Sequence, residues 1–175
     1  MTADAPHVPE APRPEPEPQS EPRWLTDSER RAWLAWRRMF PLVNAEIARD
    51  MGRQSGLSEA DYDVLSRLSE SPGRRRRISG LAERMLWSRS RLSHQLTRME
   101  QRGLVRREDV AEDGRGAEVV LTEAGWSTIA AAAPHHVDSV RRHLIDVLTP
   151  DQLQALADIG ESLSENLSDN PPWRS

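Results

Sequence analysis

The sequence predicts a mainly α fold carrying one small β-hairpin. Three observations lead there. Six segments place apolar residues at helical spacing, and most open on a residue suited to cap a helix. Two short strand-like runs, 104–108 and 117–121, flank Asp113-Gly114-Arg115-Gly116, a turn of the hairpin type. The order is four helices, the hairpin, then two more helices.

The first helix opens on Thr26-Asp27-Ser28-Glu29, a capping box, with Leu25 placed as a hydrophobic staple. Trp33, Trp36, Phe40, Val43 and Ile47 follow at alternating spacings of about three and four, a seam for another helix. Pro41 is expected to kink this helix, and Gly52 and Gly56 to end it. The second helix starts at Ser58, carries the stripe Tyr62, Leu65 and Leu68, and stops at Ser71-Pro72-Gly73. A run of four arginines, Arg74 to Arg77, leads into a short third helix over 79–86 with Leu81, Ala82 and Met85 inward. Trp87-Ser88 forms a turn, and Ser88 caps a fourth helix that runs to about Arg102. Gly103 suits the left-handed position after that helix. Beyond the hairpin, Thr122 caps a fifth helix through the alanine run 130–133 to about Leu148, with Pro134 inside it. Thr149-Pro150-Asp151-Gln152 opens the last helix, whose apolar side is Leu153, Leu156, Leu163 and Leu167.

Helix, helix, helix and hairpin over 58–122 is the order of a winged helix-turn-helix, here with flanking helices built to pair. The expected organisation is a disordered Pro-rich tail over 1–22, a dimerisation helix over 23–57, the winged unit over 58–122, two dimerisation helices over 123–167 and a frayed end over 168–175. The tail holds seven of the 13 prolines and almost nothing to bury. It lacks the pattern of a signal peptide, and no stretch is apolar for the length of a membrane span. A soluble cytoplasmic protein is expected. There is no cysteine, which excludes disulfides, thiolate metal sites and a cysteine redox sensor on this chain.

The net charge of −4 conceals an uneven distribution. Segment 67–115 holds 13 arginines against 7 acids, or +6, while the remainder holds 11 against 21, or −10. A basic middle in an acidic frame is the footprint of a phosphate-binding surface. Within it, the fourth helix turns Leu92, Leu96 and Met99 to one side. Ser90, Arg91, His94, Thr97, Arg98 and Gln101 occupy the other, with no acid among them. Such a helix can enter the major groove of double-stranded DNA and read base edges near its N-terminus, where a phosphate is also favoured. Ser88, Ser90 and Arg91 are the expected contacts, His94 is next, and Arg98 sits one turn deeper toward the backbone. Arg115 at the hairpin tip would reach the adjacent minor groove, oriented by Asp113. The bland alternative for this face is ordinary solvated surface. For Arg74 and Arg75 it is the favoured reading: a loop whose last residues form a small strand beside the wing. For Arg76 and Arg77, loop and backbone clamp stay open.

Several runs form a recognisable set: Leu81-Ala82-Glu83, Ser88-Arg89-Ser90-Arg91-Leu92-Ser93 and Met99-Glu100-Gln101-Arg102-Gly103-Leu104-Val105. Asp113-Gly114-Arg115 follows, running into Val120-Leu121-Thr122-Glu123-Ala124-Gly125. On these residues the chain resembles the MarR-type transcriptional regulators. The resemblance implies a homodimer joined by the first, fifth and sixth helices on a pseudo-palindromic operator. It also implies repression relieved by a small effector in a cleft between the dimerisation helices and the DNA-binding lobe. Trp33, Trp36, Phe40 and Tyr62 would line that cleft for a flat aromatic ligand, with Arg37 as a candidate partner for an anion. Aromatic residues at helical spacing are more often core. Trp87 reads as packing.

No cofactor is expected, and no phosphate loop, nucleophile elbow or paired-carboxylate motif points to an enzyme. Two alternatives remain. One is a non-specific architectural DNA-binding protein. The other is a metal-responsive regulator using His136 and His143, which share a helix face; the pair lacks the further ligands of a closed site, so no metal is assigned.

Overall fold

A computed structural model describes residues 22–109 and 117–169. Most of the expected tail, the hairpin turn with Asp113 and Arg115, and the last residues lie outside them. The described residues fall into two units, one ending at Trp36 and the other beginning at Arg37. The first holds the capped start of α1 (Asp27–Ser55). There the Thr26 N–H donates to Glu29 Oε2 at 2.8 Å and the Glu29 N–H donates back to Thr26 Oγ1 at 3.3 Å.

The second unit holds α2 (Glu59–Ser69), β1 (Arg75–Arg77), α3 (Ile78–Met85), α4 (Arg89–Gln101), β2 (Val105–Asp109), β3 (Ala117–Leu121), α5 (Glu123–His143) and α6 (Pro150–Asp169). The three strands form one antiparallel sheet in the order β1-β3-β2, with Arg75 opposite Val120 and Val105 opposite Leu121. The fold is therefore mainly α with a small wing, as the sequence predicts, and β1 is the strand that the end of the arginine run supplies.

Two helix ends differ from expectation. α1 runs on through Pro41 and Gly52 and stops at Ser55, where Gly56 takes a positive φ of 67°. Proline removes one hydrogen bond from the ladder; the helix continues past it. α5 likewise continues past Pro134 but ends at His143, short of Leu148. Leu144 leaves the helical region at φ −135°, and a 3-10 turn over Ile145–Val147 follows, tied back to α5 by an Arg141–Asp146 ion pair of 2.6 Å.

The core sits inside the winged unit. Val64, Leu65 and Leu68 of α2 meet Leu81 of α3, Leu92, Leu96 and Met99 of α4, Val119 of β3 and Ile129 of α5. All are essentially inaccessible, so truncating any one of the leucines to Ala costs about 2–5 kcal/mol. This packing sets the tilt of α4 and hence the direction of its outer face.

Candidate nucleic-acid interface

The turn before α4 is built by two backbone devices. α3 ends on Leu86 in the left-handed region (φ 54°), and the Trp87 N–H closes on the Ala82 carbonyl at 3.0 Å. Ser88 is then extended, and its Oγ accepts from the Arg91 N–H at 3.2 Å. At the far end, Gly103 takes φ 71°, and the N–H groups of Gly103 and Leu104 donate to the carbonyls of Glu100 and Met99. This is a Schellman closure, and it places the glycine where the sequence expected one.

The outer face of α4 presents Ser88, Ser90, Arg91, His94 and Arg98, all exposed. The hydroxyls of Ser88 and Ser90 lie 3.2 Å apart, so both sit at the helix N-terminus. The Arg91 guanidinium carbon lies 4.0 Å from the centre of the Trp87 ring. Trp87 is half-buried and packs against the core, so it joins the packed interior to the arginine above it. Between α3 and the start of α4 lies an open depression of about 370 Å³, floored by Ala82, Leu86 and Trp87.

The structure also shows what the face is tied to. Arg98 donates to Gln95 Oε1, and Gln95 is buried. Gln95 Nε2 donates to Asp61 Oδ1 at 2.7 Å, and Arg102 donates to Asp61 Oδ2 at 2.8 Å. Ser58 completes that carboxylate with its N–H at 3.1 Å and its hydroxyl at 2.8 Å. Burial pushes the Asp61 carboxyl up, but the Arg102 and Ser58 hydrogen bonds outweigh it and hold the group below the usual aspartate range. Sequence reading passed over Gln95. The available signal was a polar residue on the stripe of Leu92, Leu96 and Met99.

Arg107 of β2 fixes the wing to α4. It pairs with Glu100 at 2.8 Å and donates to the Ser93 carbonyl at 2.9 Å and the Thr97 hydroxyl at 3.2 Å. The arginine run is likewise engaged. Arg74 lies over the Trp126 ring at 3.8 Å and pairs with Glu123 at 3.5 Å. Arg75 pairs with Glu108 and Glu118, and the Arg76 Nε donates to Ser71 Oγ at 2.8 Å. Glu108 is held below the usual carboxylate range, chiefly by its hydrogen bond from Arg106.

Of the residues expected around an effector, Tyr62 lines a cavity of about 190 Å³ with Asn44, Ile47, Met51, Asp63 and His136. Arg37 and Phe40 are not among its lining residues. Trp33 and Trp36 belong to the first unit, where each remains substantially exposed. The two histidines of the metal alternative go to different partners. The His136 ring lies against Tyr62, tilted by 33° with centroids 4.3 Å apart, while His143 Nε2 lies 2.9 Å from Asp50. Among the described residues no three His, Asp or Glu side chains gather as a metal site would require. Ser139 and Arg142 also donate to Asp50, at 2.9 and 3.0 Å. The His143 and Ser139 hydrogen bonds lead in holding that carboxyl below its usual range.

Comparison with known proteins matches the chain to what these elements describe. A family model described as MarR family matches residues 55–116. The transcriptional regulator HosA of Escherichia coli is 34% identical over 100 residues, spanning 57% of this chain and 73% of HosA. Among solved structures, AbsC, a MarR family transcriptional regulator from Streptomyces coelicolor, is 46% identical with a TM-score of 0.79, over 85% of this chain and all of that one. Sco3205, a MarR family regulator from the same organism solved in complex with DNA, is 39% identical with a TM-score of 0.81, over 88% of this chain and 95% of that one. The winged unit, the capped α4 and these relatives agree: the chain belongs to the MarR family and is a regulator of transcription, not an enzyme.

Proposed function

We propose that the protein is a sequence-specific DNA-binding repressor. It acts as a homodimer on a pseudo-palindromic operator and is released by a small-molecule effector. The observation that carries this reading is the outer face of α4. Ser88, Ser90, Arg91, His94 and Arg98 are all exposed on it. The face combines base-reading donors and acceptors with positive charge, and it starts at a capped N-terminus suited to a phosphate. The Sco3205 structure in complex with DNA supports the assignment. Arg115, with Asp113 orienting it, is proposed to enter the minor groove beside that helix.

Homodimer formation is supported by α6, which exposes Ile159, Leu163 and Leu167 at a spacing of four. Water does not favour such a stripe, and a twofold partner would bury it. The proposed effector site is the cavity beside Tyr62 and His136, small enough for a single ring. No helix among the described residues is long and apolar enough to cross a membrane; a cytoplasmic location is proposed with DNA as the partner.

Titration of the chain against its own promoter DNA and a scrambled duplex tests the reading. Promoter DNA should bind at least roughly a thousandfold tighter, with affinity falling steeply as salt rises. Equal binding to both duplexes would replace sequence-specific regulation with non-specific architectural binding.

A further inference from the structure

Asp61 is the third residue of α2 and, at 4% exposed, lies among the buried leucines. Its place in the capping box explains only the two hydrogen bonds with Ser58. The other two come from Gln95 of α4 and from Arg102, which caps the end of α4, more than 30 residues along the chain. Asp61 thus accepts four hydrogen bonds, three at Oδ2 and one, from Gln95, at Oδ1.

The bond to Gln95 has a directional consequence. A carboxylate accepts only, so it must face the amide nitrogen of Gln95. The amide oxygen is thereby turned the other way, toward Arg98, whose guanidinium donates to it. Gln95 is 3% exposed and sits between Leu92, Leu96 and Met99, where an apolar side chain would pack as well. A buried amide there imposes an orientation that packing does not need.

We propose that Asp61 is a positioning residue for DNA binding: through the amide of Gln95 it fixes the guanidinium of Arg98 on the DNA-facing side of α4. The proposal rests on the reading of that face as the DNA-contacting surface. A pre-set guanidinium loses less rotamer freedom when it meets a phosphate, so the gain appears as affinity. Arg102 neutralises the carboxylate from the side away from Gln95, and Ser58 anchors it to α2. The chain Ser58, Asp61, Gln95, Arg98 therefore runs from one helix cap to the exposed face of another.

A double-mutant cycle on operator binding tests this. Affinities are measured per folded protein, with the folded fraction followed by circular dichroism. Arg98→Ala should weaken operator binding roughly tenfold and reduce the slope of log K against log salt by about 0.9, the signature of one lost phosphate contact. Gln95→Met keeps the volume and leaves the Ser58–Asp61 cap intact. It should lose most of that affinity in the parent chain and nothing further in the Arg98→Ala background. Asp61→Asn should follow Gln95→Met, and the latter keeps the test decisive if Asp61→Asn does not fold. Additive losses, or a silent Gln95→Met beside a weakened Arg98→Ala, overturn the positioning role and leave the DNA-contacting reading standing. If neither Arg98→Ala nor Arg91→Ala weakens binding, the reading of the face fails and the proposal falls with it.

Discussion

The guanidinium of Arg91 stacks on the indole of Trp87, 4.0 Å from the ring centre. Trp is the strongest of the aromatic partners for a cation, and such a contact at an exposed site contributes about 0.5–1 kcal/mol. Stacking leaves the edge of the guanidinium, with its fork of N–H donors, free to meet a guanine edge. Arg91→Ala is therefore expected to lose about 1–3 kcal/mol of operator affinity and to relax base preference at one position of each half-site. Arg91→Lys should keep the salt dependence but not the preference, because an ammonium cannot make the paired contact. Binding to a panel of single-base operator variants checks both. An unchanged preference in both mutants would remove Arg91 from the reading face.

Gly125 is required by a close approach. A Cβ there would lie 2.0 Å from the Leu104 carbonyl oxygen and 2.7 Å from Leu121 Cδ1. The cap of α5 is docked on the same carbonyl, which accepts the Thr122 N–H at 3.2 Å and the Thr122 hydroxyl at 3.0 Å. Backbone cannot yield as a flexible side chain can. Gly125→Ala should therefore cost about 3 kcal/mol, the upper end of ordinary overpacking. A urea-denaturation midpoint close to that of the parent chain would contradict this.

That glycine illustrates what was readable beforehand. Thr122-Glu123-Ala124-Gly125 was recognisable as a motif, and the cap at Thr122 followed from residue type, because capping is local chemistry. The inward stripe of α4 followed from periodicity in the same way. Its outer side was legible as a set of residue types, and their exposure agrees with it. The tethering of Arg98 by Gln95 was not legible, nor was the pairing of Arg74 and Arg75 with Glu123, Glu108 and Glu118. Those contacts join residues that sequence places far apart or on the wrong face of a stripe, and only the packed fold brings them together. The lining of the cavity was hidden for the same reason. Tyr62 was named, but His136 comes from a helix some seventy residues on.

Burial holds the His136 imidazole below the usual histidine range, against a weaker opposing pull from Asp63. Its Nδ1 is buried without a hydrogen bond among the described residues. The unfolded chain takes up this proton near about pH 6.5, and the folded chain only at lower pH. Between those values the unfolded state binds more protons, so stability from this group is complete above the unfolded value and falls as pH drops through it. The denaturation midpoint of the parent chain should decline from pH 7.5 to 5.5. His136→Phe, which keeps a ring against Tyr62, should show a shallower decline. Parallel curves for the two proteins would show that this imidazole does not titrate differently on folding.

The exposed stripe of α6 leads to a prediction that joins assembly to DNA binding. Ile159, Leu163 and Leu167 are each about half exposed at 52%, 48% and 53%. Leu163→Asp puts a charge in the middle of the stripe. If the stripe is the seat of a second copy, the cost of burying an unpaired carboxylate should shift the protein to monomer. Operator binding then changes in kind. A dimer holds its second recognition helix near the adjacent major groove, about 34 Å away along the duplex. A monomer must bind each half-site separately and forfeits that effective concentration, so its apparent affinity should fall by roughly 10²–10⁴. Affinity for an isolated half-site should be unchanged, because α4 is untouched. Analytical ultracentrifugation paired with binding to full and half operators reads both effects. A Leu163→Asp protein that stays dimeric with full operator affinity would move the dimer contact away from α6.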